Sequence, residues 1–146
     1  MRIMVVMDGV RRADASLVVA PSDAILASLR QERLAFRHAE TRALDLLKAN
    51  LSAEQLMSFR KLGHFQVVGG ETRARYRIRR GHQMNVDLLD DMGRPVAHLC
   101  FLPEGRIPFA DVMLAQKIAL ELNEADTIAG ANVVRAGALP FEWWME

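Results

Sequence analysis

Nine consecutive residues carry the most distinctive chemistry of this sequence: Thr72-Arg73-Ala74-Arg75-Tyr76-Arg77-Ile78-Arg79-Arg80. Extended backbone sends successive side chains to opposite faces. Ala74, Tyr76 and Ile78 then point into a core, while Arg73, Arg75, Arg77 and Arg79 line the other face, about 7 Å from one to the next. In water, two guanidiniums at that spacing repel by well under ~1 kcal/mol, so the row is tolerable and favours anions. Arg80 and His82 extend the basic edge into the following turn. The expected chemistry is non-enzymatic binding of a polyanion by Arg73, Arg75, Arg77, Arg79, Arg80 and His82, nucleic acid ahead of an acidic protein. No aromatic side chain falls on that face. Sheets that read single-stranded bases use aromatic platforms, so the expected recognition is electrostatic. The competing reading is a solvated face whose arginines pair with acidic residues of the C-terminal third.

Covalent chemistry has few ingredients: Cys100, the histidines at 38, 64, 82 and 98, Asp87 and Glu104. A thiolate nucleophile needs a base within hydrogen-bond reach. His98 and Cys100 share a strand face, but two residues apart their backbones are ~7 Å apart. A thiol enzyme at Cys100 is therefore the remaining enzymatic reading, behind simple packing of the side chain. No metal or cofactor is expected, since one cysteine and four scattered histidines form none of the usual ligand pairs. No dinucleotide-binding glycine fingerprint, phosphate-binding loop or nucleophile elbow is present. Gly69-Gly70-Glu71-Thr72 reads as a hairpin turn rather than a phosphate cradle, because no helix follows it.

The elements that must position these residues follow from period and punctuation. Pro21-Ser22-Asp23 offers a cap for a long helix over about 24–49, with Leu29, Phe36 and Ala43 recurring at seven residues. Such a stripe packs on a core or on a partner helix. Leu51-Ser52-Ala53-Glu54-Gln55-Leu56 is a capping-box signature, and Gly63 is the expected left-handed stop of that second helix. From Phe65 to Leu102 the period is two. Strands are predicted at 65–68, 72–80, 84–90 and 95–102, joined by turns at Gly69-Gly70, Gly81-His82 and Asp91-Met92-Gly93. Short turns make an antiparallel meander of four strands. The register that sets Ile78 opposite Val86 and Tyr76 opposite Leu88 also sets Arg77 opposite Asp87 and Arg79 opposite Asn85. For the fourth strand, Ala97, Leu99 and Phe101 inward puts His98 and Cys100 on the arginine face, with the imidazole wet; a slip of one residue reverses this. Phe109 to Leu122 is an almost wholly apolar helix, expected to be buried against the inner face of the sheet. A short helix continues from Glu124 to about Asn132. The fold class is thus α+β.

Composition sets the frame. The chain has 146 residues, 51% hydrophobic and 25% charged, the mix of one globular domain. Its net charge of +1 hides an uneven layout: five arginines against Glu71 in residues 71–82, but ten acidic and four basic residues from 83 onward. No apolar run approaches the ~20 residues of a membrane helix. The first residues are apolar over too short a stretch for a signal peptide, and a single Cys100 forms no internal disulfide, so a cytoplasmic location is expected. Residues 1–20 suggest an N-terminal hairpin. The tail from 135 to 146 is apolar, and Leu139, Phe141, Trp143 and Trp144 are its docking candidates. The alternative function is therefore an assembly or adaptor protein, oligomeric through that tail or through the N-terminal helix.

The stretch Ser52–Val133 also resembles a small domain of uncharacterised bacterial and phage proteins. The likeness lies in Tyr76-Arg77-Ile78, Asn85-Val86 with Leu89-Asp90, Leu99-Cys100 with Pro103, and Asp111-Val112-Met113-Leu114-Ala115-Gln116-Lys117. It covers about half the chain. It implies one compact folding unit in a prokaryotic or phage setting, and brings no activity, cofactor or catalytic residue.

Overall fold

The computed structural model describes residues 21–137. The expected hairpin over 1–20 and the docking candidates of the tail lie outside the described residues. The contacts divide the chain into two units, Met1–Arg33 and Leu34–Glu146.

Helix α1 runs Asp23–Ala49, and the Ile25 amide donates to the Ser22 hydroxyl at its start (3.4 Å). Its stripe has two fates. In the first unit Ile25, Leu26 and Leu29 are exposed. In the second unit Ala43 and Leu47 enter the core. Helix α2, Ala53–Leu62, begins with the predicted capping box: Gln55 N–H donates to Ser52 Oγ at 3.1 Å, and the Ser52 amide donates to Gln55 Oε1 at 3.0 Å. Gly63 ends it at φ 71°, the left-handed conformation that costs glycine nothing.

The sheet has five strands, one more than the sequence pattern predicts: β1 (His64–Val68), β2 (Arg75–Arg79), β3 (Val86–Leu89), β4 (Pro95–Cys100) and β5 (Asn132–Arg135), antiparallel neighbours in that order. The added β5 pairs with β4 and takes Arg135 out of the tail. Between β4 and β5 lie α3 (Phe109–Leu122) and α4 (Glu124–Ala129). Helix α3 is only partly buried. Ala110, Met113, Leu114 and Leu120 join the core, while Ile118 is 45% and Leu122 78% exposed.

The core lies on one face of the sheet, where Phe65, Val67, Tyr76, Ile78, Val86 and Leu99 meet α3, Leu47 of α1 and Phe59 of α2. Each fully buried side chain such as Phe65, Ile78 or Leu99 contributes about 1.5–3 kcal/mol over an exposed one. Helix α2 also closes one edge of the sheet. Gln55 Nε2 donates to the Gln66 carbonyl (2.7 Å) and Ser58 Oγ to the His64 carbonyl (2.8 Å).

Candidate functional site

The predicted register holds. Tyr76 pairs with Leu88, Arg77 with Asp87 and Ile78 with Val86, while Asp87 in turn pairs with His98 and Val86 with Leu99. Alternation therefore puts Arg75, Arg77 and Arg79, together with His64, Asp87 and His98, on the face away from the core. The arginine row is shorter than predicted. Thr72 and Arg73 precede the strand, and Arg73 sits at φ 64° in the turn, where its side chain leaves the period. Arg80 follows the strand; its amide donates to the Gly63 carbonyl (2.9 Å) and its guanidinium lies 4.3 Å from the centre of the Phe109 ring. His82 Nε2 is 3.0 Å from the Ile107 carbonyl oxygen. Three of the six predicted contact residues thus share one face.

Asp87 is the hub of that face. It is 3% exposed, and a bare carboxylate at that depth is costly unless paired. Arg79 supplies Nε and Nη2, each 3.2 Å from a carboxylate oxygen, and its Nη2 also donates to the Met84 carbonyl. His98 Nδ1 lies 2.9 Å from Asp87 Oδ1. The imidazole is not wet, as the sequence suggests, but 4% exposed. Arg77 Nε is 3.2 Å from Asp87 Oδ2, yet its N–H is not aimed to form a hydrogen bond, so this contact is coulombic. The Arg77 Nη groups make no hydrogen bond among the described residues. Arg75 Nη2 donates to the Asp90 carbonyl at 2.6 Å. Asp90 in turn closes its own loop, accepting from the Met92 and Arg94 amides and from Arg94 Nε. The Arg94 amide is the first cause that holds the Asp90 carboxyl below its ordinary value.

The charge of the row is felt next door. His64 is held below its ordinary value of 6.5, first by burial and then by Arg77, with Asp87 working the other way. Its buried Nδ1 has no hydrogen-bond partner among the described residues. Cys100 is half-buried on the same strand face as His98, and no hydrogen bond ties its thiol to the imidazole. No group of three His, Cys, Asp or Glu suited to a metal ion occurs among the described residues.

A second buried carboxylate is invisible to the sequence pattern. Gly69-Gly70-Glu71-Thr72 is the expected hairpin turn, between β1 and β2, and its Glu71 and Thr72 amides also hold a carboxylate that the chain supplies from α4. Glu124, 1% exposed, accepts from the Glu71 amide (2.9 Å), the Thr72 amide (2.7 Å), the Thr72 hydroxyl and the Tyr76 hydroxyl (2.7 Å). Burial alone would raise this carboxyl, but the Thr72, Tyr76 and Glu71 donors outweigh it and bring it down to about 2. Tyr76 moves upward, first through burial and then through its bond to Glu124. The glycines are steric necessities. A Cβ on Gly70 would stand 2.0 Å from the Glu121 carbonyl oxygen, and one on Gly69 would stand 2.2 Å from the Glu124 carboxylate. The signal that could have revealed the cradle is the Gly-Gly pair followed by Thr, since successive backbone N–H groups in a turn make an anion nest. Its occupant comes from 52 residues away, beyond any local pattern.

No helix among the described residues is long and apolar enough to cross a membrane. Comparisons with protein-family models, with curated proteins and with solved structures find no match to the chain.

Proposed function

We propose that this protein is a small binding module that holds an anionic partner on the outward face of β2, with Arg75 and Arg77 as the contact residues and Arg79 as the group that orients the face. One observation carries this reading. Among the described strand residues of that face, three part-exposed guanidiniums at alternate positions stand against a single carboxylate, Asp87, which Arg77 and Arg79 contact and Arg75 does not. Asp87 draws the fork of Arg79 inward, while Arg77 gives it only Nε. The two Nη groups of Arg77 remain as donors for phosphate or carboxylate oxygens. The site is therefore narrower than a four-arginine row. It suits the backbone of a nucleic acid ahead of an acidic peptide, because phosphates repeat along a strand at a spacing comparable to that of alternate strand residues.

The test is fluorescence anisotropy of the full chain with labelled single-stranded DNA, duplex DNA and RNA from about 20 to 300 mM salt, with a polyglutamate peptide alongside. The expected result is binding at low salt that weakens steeply as salt rises. Changing Arg75 and Arg77 together to Gln should weaken it by about tenfold or more while the far-ultraviolet circular dichroism is unchanged. Absence of binding by the parent chain at low salt, or a double variant that binds as the parent does, ends this reading.

A further inference from the structure

Outside the arginine face, the chain leaving β4 and the outer side of α3 and α4 line an open cleft of about 530 Å³. That volume falls in the range of small-molecule sites, roughly 300–1,000 Å³. Its walls are apolar: Phe101, Leu102 and Ile107 on one side, Ala115 and Ala119 of α3 on the other. The small alanines leave room along the helix where larger side chains would fill it. Three polar residues also line it, Asp111, Gln116 and Thr127.

Apart from the second Nε2 hydrogen of Gln116, what these three offer is acceptor. The Asp111 carboxylate makes no hydrogen bond or ion pair among the described residues, although the residue is half-buried. Thr127 spends its hydroxyl proton on the Asn123 carbonyl (2.6 Å), so only its lone pairs are left for a ligand. Gln116 is 5% exposed and locked in a reciprocal amide pair with Asn85, two bonds of 2.8 Å, so it cannot swing over to satisfy Asp111. A half-buried carboxylate in the first turn of α3, beside an apolar wall and with no cation paired to it among the described residues, suits a donor-bearing positive group attached to an apolar body.

We infer that this cleft is a binding site for a small organic cation, a primary or secondary amine carrying an aryl or alkyl body, with Asp111 taking the ammonium and the Phe101–Ala119 walls taking the body. This site is independent of the anion-binding reading, for it shares no residue with the β2 face.

The experiment is a titration of the full-length protein with 4-phenylbutylamine, followed by amide shifts in ¹H–¹⁵N spectra, with 5-phenylpentanoate as the matched anion. The amine should bind saturably and move the amides of Ala115, Gln116 and Thr127, while the anion binds at least about tenfold more weakly. Asp111→Asn should weaken the amine by about tenfold and leave the anion unchanged or improved, and Asp111→Glu should restore part of the loss. Thermal melts confirm that both variants are folded. Ala115→Leu, which fills the cleft and leaves the carboxylate, should weaken both ligands. Equal binding of amine and anion, an Asp111→Asn variant that binds the amine as the parent does, or no saturable binding of the amine at all would each overturn the proposal.

Discussion

Among the described residues two carboxylates lie almost fully buried, and the chain satisfies them in opposite ways. Glu124 is surrounded by neutral donors, two backbone N–H groups and two hydroxyls. Asp87 is surrounded by two guanidiniums, those of Arg77 and Arg79, and by the His98 imidazole. The first arrangement turns the anion inward and leaves nothing for a ligand. The second keeps part-exposed cations on the surface, with Arg77 and Arg79 side chains 23% and 33% exposed. Burial of an acid is thus a structural fact in one place and an arrangement of surface charge in the other. Neutral donors cost little to bring together and are fixed once placed; cations bring long side chains that reach water as well as the anion.

That contrast predicts a ranking of damage. Glu124→Ala should be the most destructive change, since it orphans four donors gathered on a carboxylate that is almost fully buried. A loss of about 3–5 kcal/mol by urea unfolding is expected, and a loss below about 1 kcal/mol would show the cradle to be superficial. The same residue should dominate the acid limb. Its carboxyl falls from an ordinary 4.5 to about 2 in the folded chain, so its contribution is complete above about 4.5 and disappears as pH falls from there toward 2. Unfolding free energies across that window should drop less steeply in Glu124→Gln than in the parent.

Asp87→Asn should rank second, at about 1–3 kcal/mol, because the part-exposed guanidiniums it leaves behind regain water. Equal losses at the two positions would erase the distinction between the two acids. Tyr76→Phe removes one of the four donors of Glu124 and should cost about 1 kcal/mol in the same unfolding experiment. His64→Gln should have the smallest effect. Because the imidazole is held below 6.5, the folded state resists its protonation, and parent stability should fall as pH drops below 6.5. The variant should lack that shallow decline, seen by comparing melting temperatures at pH 7.5 and 5.5.

The sequence revealed the parts of this arrangement that rest on local rules. Period two between the glycine turns was enough to place Arg77 opposite Asp87 and to put His98 on the same face, because one buried face leaves the register no freedom. The capping box and Gly63 were legible for the same reason. Burial depth was not. His98 reads as wet in a strand pattern, and its contact with the buried Asp87 carboxylate supports its burial. Arg73 was lost to the strand because the chain turns at φ 64° to bring the Thr72 amide onto Glu124. Strand β5 escaped because Asn132-Val133-Val134-Arg135 is four residues long and becomes a strand only by pairing with β4. The cradle for Glu124 joins segments far apart in the chain, and no spacing rule reaches that distance.

The two bonds from α2 to β1 reach further than the helix cap they grow from. They occupy the carbonyls of His64 and Gln66 along an edge where a stray extended segment from a neighbouring molecule would otherwise zip on. An intruder at that margin must first evict Gln55 and Ser58, and evicting Gln55 also undoes the cap that starts its helix. Resistance to misassembly at that margin is therefore tied to the integrity of a single turn of helix.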